Sequence, residues 1–495
     1  MTSLWLDRTS TTSYPALEPD SRFDHLVLGG GLTGVTTALL LARAGKRVGL
    51  LEARTLGAVA TGNTTAKLSL LQGNRLSTIA HRHNAATVRA YVEANREGQQ
   101  WLLRFCAEHD VATQQAPAFT YAQTPSGTKA VRKEYEACRR AGLDARWMDL
   151  LDLPFPTHGA VRLDDQAQFD PVEVLDALAA DAVAHGAVIV ENARARGITG
   201  LRGDELVVDT DAGAVRAGSV VVATGTPFLD VGGFFARLRP QRSYAMALRV
   251  PGPIPHGMYL SADQPTRSLR YVPAGDAELL LVGGNGHPVG RTPSTRVHYD
   301  DLLDWARTHW PGAEETHRWS AQDYAPVDEL PYVGQLVPGV ERILLATGYA
   351  KWGMTNAVAA ALALTGRILG GRMDWARPLE TWRPRELAGI PSAAMANAEV
   401  AAALLGGWWR GTRARPPVAP VEGAGVVHRD GLLPEAVCTV EGVTRHVSAV
   451  CPHLGGVVAW NEAERSWDCP LHGSRFAPDG QVLEGPATSP LTTRD

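Results

Sequence analysis

The chain has 495 residues, 45% of them apolar and 20% charged, with a formal net charge of −4 and five cysteines. That length suits about three domains, or one large domain with an appendage, and the apolar share excludes wholesale disorder. The mixed charge gives no reason to expect a nucleic-acid partner, and five cysteines are too few for a disulfide scaffold.

Residues 1–23 are polar, carry Pro15 and Pro19, and read as an extended N-terminal arm. They show no leader pattern, and no apolar run reaches the roughly 18 residues that span a bilayer. The expectation is a cytoplasmic chain with no membrane span. Residues 24–52 predict strand, glycine turn, helix, strand: DHLVLGG, then GLTGVTTALLLARAG, then KRVGLLEA. From about 75 to 150 the pattern is helical, and 172–185 predicts another helix followed by paired strands that end in SVVVATG. Residues 228–330 alternate strand-like runs with Pro/Gly turns. ERILLATGY predicts a strand and GMTNAVAAALALTGRILGG a helix behind it. AAMANAEVAAALLGG predicts a further helix, RGTRARPPVAP a linker, and 421–495 an all-β module.

Gly29, Gly31 and Gly34 fit G-x-G-x-x-G, and Glu52 closes the second strand. Glycine permits the tight turn, backbone approach to a pyrophosphate and close helix–strand packing. The acid is placed for a ribose hydroxyl. Three further segments favour FAD over NAD: Ala223-Thr224-Gly225 after its strand, the helix start at Gly353, and the Gly/Thr-rich loop Gly57–Lys67. Only five of the 48 basic residues are lysine, and Lys67 and Lys351 both fall in these segments. A retained lysine there suits a point charge near the flavin, or a solvated or structural role.

This architecture resembles the FAD-dependent oxidoreductases of the D-amino-acid oxidase and glycine oxidase superfamily over about 24–372. The resemblance implies FAD held by Gly29, Gly31, Gly34, Glu52, Thr65, Gly225, Gly353 and Met354. It implies FAD-binding parts at about 24–90, 158–228 and 330–372, and substrate parts at about 90–157 and 228–330. Arg270, Tyr271, Tyr244 and His287 then fall where this superfamily places substrate contacts, an Arg/Tyr pair being able to hold a carboxylate. Lys351, Tyr271, His287 and Lys67 are the catalytic candidates. Asp323 could orient a cation or cap a turn.

Cys451-Pro-His453 and Cys469-Pro-Leu-His472 stand fifteen residues apart. Two thiolates and two imidazoles could bind zinc. Two loops that each offer one Cys and one His suit a [2Fe–2S] cluster, with the cysteines on one iron and the histidines on the other. The segment 421–495 resembles a Rieske domain, joined through a helix and linker at 373–420. Cytochrome-bc-type relatives would carry two more cysteines, where Gly456 and Leu471 stand here, and a Tyr at Phe476. Cys106, Cys138 and Cys438 have no ligand spacing and read as buried.

The fold class expected is α/β: a Rossmann-like FAD domain with an interleaved α+β substrate domain, plus a C-terminal all-β Rieske domain. A flavoprotein of this superfamily fused to a Rieske domain resembles a bacterial family over nearly the whole chain. The leading function is dehydrogenation of an amine or amino acid, with electrons passing through the cluster to an external acceptor protein. The alternative is an NAD(P)H-dependent reductase feeding an oxygenase or cytochrome, which needs a second nucleotide-binding βαβ. A Rieske oxygenase needs a mononuclear iron site, and His81, His83 and His109 form no convincing ligand motif. A non-enzymatic redox sensor would show a cluster without turnover.

Overall fold

The structure is a computed structural model describing residues 2–8, 12–201, 203–383, 390–411, 419–430 and 433–494. Strand Arg22–Leu28 pairs in parallel with Val48–Leu51 on one side and Gly213–Val222 on the other. The sheet extends in parallel to Val188–Val190 and Ile343–Thr347, and its far edge Tyr332–Gln335 is antiparallel. Parallel neighbours need crossovers, and a sheet covered on both faces reads as continuous apolar runs. LVL at 26–28 and VVV at 220–222 are such runs, all buried. Helix Leu32–Arg43 begins directly after Gly31 and is buried at ten of its twelve positions. It packs between helices Pro171–Ala184 and Gly353–Ile368, so it has no solvent face to require polar residues.

A second, nine-stranded sheet is built from Glu314–Pro326, Leu238–Arg249, Ala277–Pro288, Arg267–Ala274, Met258–Ser261, Thr113–Tyr121, Ala160–Phe169 and Lys67–Leu68 in that order, with Arg146–Met148 paired beside Ala160–Phe169. Two expectations shift here. Residues 75–150 are not helical throughout, because Thr113–Tyr121 is a strand between helices Ala85–Glu108 and Thr128–Arg140. Ala160–Phe169, expected in an FAD-binding part, pairs with Thr113–Tyr121 in the second sheet. Long-range pairing decides both, and local pattern does not carry it.

The arm is not simply extended. Trp5 is buried, its Nε1 donates to the Thr64 carbonyl at 2.7 Å, and the Ser3 hydroxyl bonds the Gly62 carbonyl. It therefore clamps the Gly57–Thr65 loop. At the other end, helix Ile390–Gly411 is followed by a three-stranded sheet (Gly425–Asp430, Leu433–Val440, Val443–Ser448) and a four-stranded one (Ala459–Asn461, Ser466–Asp468, Arg475–Phe476, Val482–Glu484). The expected linker lies largely outside the described residues. No helix among the described residues is long and apolar enough to cross a membrane.

Candidate functional site: a dinucleotide cavity and a two-loop cysteine–histidine cage

The first sheet ends its strands at Leu28, Leu51 and Val222, and a cavity opens beyond them. Gly29 has φ 111°, and a Cβ there would stand 2.5 Å from the Ala223 carbonyl oxygen. A Cβ at Gly34 would stand 1.9 Å from the Gly29 oxygen, so only glycine lets the helix approach the turn this closely. Glu52 faces the same turn: its carboxylate accepts from the backbone N–H of Gly30 at 2.6 Å and of Arg54 at 2.8 Å. Burial raises its pKa above the ordinary range, opposed by those two bonds. Gly29, Gly31, Glu52, Thr65, Gly225, Gly353 and Met354 all line the cavity, and Gly34 acts behind it through packing.

The opposite wall comes from the second sheet and includes Lys67, Tyr244, Ser268 and Asp323. Lys67 is buried, and its Nζ hydrogen-bonds the Ser268 hydroxyl. Desolvation, with Arg270 nearby, lowers its pKa to about 7. A charge held there is one that titrates near neutrality. Lys351 lines the cavity in a left-handed conformation, φ 73°. A Cβ at Gly286 would meet its Nζ at 2.5 Å, so that glycine leaves the amine its room. Asp323 carries an Oδ2 with no hydrogen-bond partner among the described residues, and burial pushes its pKa to about 6.

Two catalytic candidates are placed elsewhere. Tyr271 is not among the lining residues, and its ring stacks on His256 at 4.4 Å. His287 stands one layer back. Its Nδ1 donates to the Pro288 carbonyl at 2.8 Å, which leaves Nε2 to accept from the Tyr244 hydroxyl at 2.8 Å. Burial holds its pKa down to about 4, so it is neutral at physiological pH and orients Tyr244. The Arg270–Tyr271 carboxylate clamp does not form. The Arg270 guanidinium is turned into the sheet, where it donates to the carbonyls of Thr65, Ala66 and Phe169 at 2.7, 3.0 and 3.2 Å and lies over Trp5. Residue alternation on a strand sends neighbours to opposite faces, and the docked arm explains which face is closed.

In the C-terminal module the two loops meet. Cys451 and Cys469 are buried and unbridged, their thiols in hydrogen-bond contact, and the His453 and His472 rings lie 5.1 Å apart. His472 Nδ1 is buried without a partner among the described residues, as a ring nitrogen awaiting a metal would be. His453 Nε2 is taken by the Asp230 carboxylate at 2.8 Å, which leaves its Nδ1 for the cage. A Cβ at Gly456 would stand 2.7 Å from the Leu471 side chain and 2.9 Å from Cys469 Sγ, so with leucine at 471 the first loop closes over the second most readily with glycine there. Among the described residues no three His, Cys, Asp or Glu side chains converge as for a single ion. A cluster that takes two protein ligands per iron does not require it. The donor set fits a [2Fe–2S] group. Cys106 and Cys138 are buried in the core of the first domain, and Cys438 is buried in the Rieske core, its thiol donating to the Pro478 carbonyl at 3.6 Å.

The comparisons decide the family. Residues 24–367 match the model for the FAD dependent oxidoreductase family, DAO. The chain belongs to this family. Residues 423–494 match the Rieske [2Fe-2S] domain. The Bacillus subtilis (strain 168) protein YhfW, whose name describes a Rieske 2Fe-2S iron-sulfur protein, is 32% identical over 99% of this chain and 97% of its own. Glycine oxidase from Geobacillus kaustophilus superposes with a TM-score of 0.62 at 19% identity, over 73% of this chain and 99% of that one. L-proline dehydrogenase from P. horikoshii gives 0.59 at 18%, over 75% and 98%. At such identities these two establish the fold. This DAO–Rieske chain is thus an oxidoreductase whose first domain binds FAD and whose second binds a [2Fe–2S] cluster.

Several residues of the site were not singled out from sequence. Asp230 sits in a turn with no local signal. Arg242, in the second sheet, is fully buried and meets Ser320 at 2.6 Å, Gln322 at 3.0 Å, Glu464 at 3.3 Å and Asp468 at 3.4 Å. Arg475 pairs with the same two acids and with Glu484. A buried ion network thus welds the Rieske domain to the sheet domain. Charged residues on the short strands around Cys469 were the only available hint.

Proposed function

We propose that this enzyme dehydrogenates an amine or amino acid at the FAD site and passes the electrons through the Rieske cluster to an external acceptor. One observation carries the reading. Ala487, which lines the FAD cavity, donates its N–H to the Ser474 hydroxyl at 3.0 Å, and Ser474 is hydrogen-bonded to Cys451. Cavity wall and cluster cage are therefore joined through one serine, a short path inside a single chain. FAD supplies two-electron chemistry and the cluster one-electron steps.

The residues around the cavity support entry of the substrate by its amino group. The Asp323 carboxylate is anionic at neutral pH and has a free oxygen for an ammonium proton. Lys67, at about 7, is a second group able to take a proton there. Arg242 and Arg270 are both committed to buried partners, and Lys67 and Lys351 are the cations placed beside Asp323 and Tyr244 on the cavity lining for a substrate carboxylate. The relatives named glycine oxidase and L-proline dehydrogenase act on amino acids by their names, which agrees with C–N chemistry.

The test is anaerobic bleaching of the flavin by a panel of amines and amino acids, with NADH and NADPH included. Rapid bleaching by an amine or amino acid, followed by loss of the oxidised cluster spectrum, is expected. Rapid stoichiometric bleaching by NADH alone would overturn the proposal in favour of a reductase.

A further inference from the structure

The FAD cavity is not closed by the DAO domain alone. Leu483, Glu484, Gly485, Ala487 and Thr488 line it, and all five belong to the Rieske domain, more than a hundred residues beyond the end of the family match. This segment is held against the cavity from the FAD side. Arg194 donates to the Val482 carbonyl at 2.9 Å, and the Tyr324 hydroxyl donates to the Gly485 carbonyl at 3.3 Å. Both donors line the cavity themselves.

The docking behind the segment is a built interface. Gln322 Nε2 donates to the Gly473 carbonyl at 2.8 Å, and Thr295 bonds Asn461 at 2.8 Å, both pairs buried. The Arg242 network lies between them. Desolvated, hydrogen-bonded charges of this kind fix one arrangement of two surfaces, because any other leaves a buried charge unpaired.

We propose that the Rieske domain is a structural part of the FAD site: residues 482–488 form a wall that retains the cofactor, so FAD binding and docking of the Rieske domain stabilise each other. The proposal rests on the assignment of FAD to this cavity. It follows from linkage that whatever binds only the closed cavity favours the docked arrangement, and that docking tightens the cofactor by the same factor as the cofactor tightens docking. Of these residues Leu483 has the side chain with most apolar surface to offer, and it is half-buried.

The test uses the full-length holoprotein. FAD release is followed by the rise in free-flavin fluorescence after dilution, with iron counted in the same samples. Leu483→Ala should speed release about tenfold, as expected for the loss of part of one leucine's apolar contact. Leu483→Met should restore the wild-type rate, and Thr488→Ala, a milder change at the same wall, should speed release severalfold. Val443→Ala, on an exposed Rieske hairpin, should have no effect. Release at the wild-type rate in both Leu483→Ala and Thr488→Ala, with the cluster retained, would overturn the proposal. Wild-type protein that carries a full cluster but no FAD would instead overturn the cofactor assignment on which it rests.

Discussion

Lys67 allows the sharpest quantitative prediction, because the structure places a buried amine beside a hydroxyl and a second cation, with no carboxylate bonded to it among the described residues. Burial and Arg270 lower its pKa from 10.5 to about 7. In the unfolded chain the amine binds its proton up to pH 10.5, and in the folded chain only up to about 7. The unfolded state therefore binds more protons between these values, and stability rises with pH across that window. Below about pH 7 the cost is fully present. At about 1.4 kcal/mol per pH unit it has an upper bound of about 5 kcal/mol, which relaxation and water entry reduce to about 2 kcal/mol. Lys67→Met removes the amine and keeps the stem. It should raise the temperature of flavin release by about 3 °C at pH 6.5 for a domain of this size, with the gap closing towards pH 10. The same variant should lose any step near pH 7 in the rate of flavin reduction by substrate. A variant that melts below the wild type at pH 6.5 and keeps its pH slope would refute the assignment of a desolvated, uncompensated amine.

Gly34→Ala should yield protein without FAD by its visible spectrum, since a Cβ 1.9 Å from the Gly29 oxygen costs about 1–3 kcal/mol and spoils the phosphate turn. Asp230→Asn removes a negative charge hydrogen-bonded to His453, so protein-film voltammetry should show a higher cluster potential, by roughly 30–100 mV for a unit charge at an effective dielectric of about 20–80, with iron content unchanged. Arg242→Met leaves Glu464 and Asp468 with less compensation, and the cluster signal should be lost at lower urea, by about 3 kcal/mol. Both acids have pKa values held below the ordinary carboxylate range, so they stabilise the seam at neutral pH and release it on acidification. In Arg242→Met that acid loss should begin at higher pH.

Both cofactor centres were legible in the sequence because each is written in a short, contiguous motif. The turn at Gly29, Gly31 and Gly34 forces a phosphate-binding geometry within six residues. The Cys-x-His and Cys-x-x-His spacings place two unlike ligands on each loop whatever surrounds them. What lies between the centres was decided only by the tertiary structure. Arg270 was expected at the substrate and is spent on three backbone carbonyls, because the face of its strand is fixed by pairing and by the Trp5 arm docked over it. Arg242 reads as one arginine among 43, and becomes the centre of a buried seam only when the strands around Cys469 arrive from two hundred residues away. Residues 482–488 read only as part of the all-β module 421–495, and docking makes them a wall of the FAD cavity. Motif chemistry is local and survives in one dimension. Desolvation, ion pairing and shared walls depend on which surfaces meet, and those meetings join segments that share no local pattern.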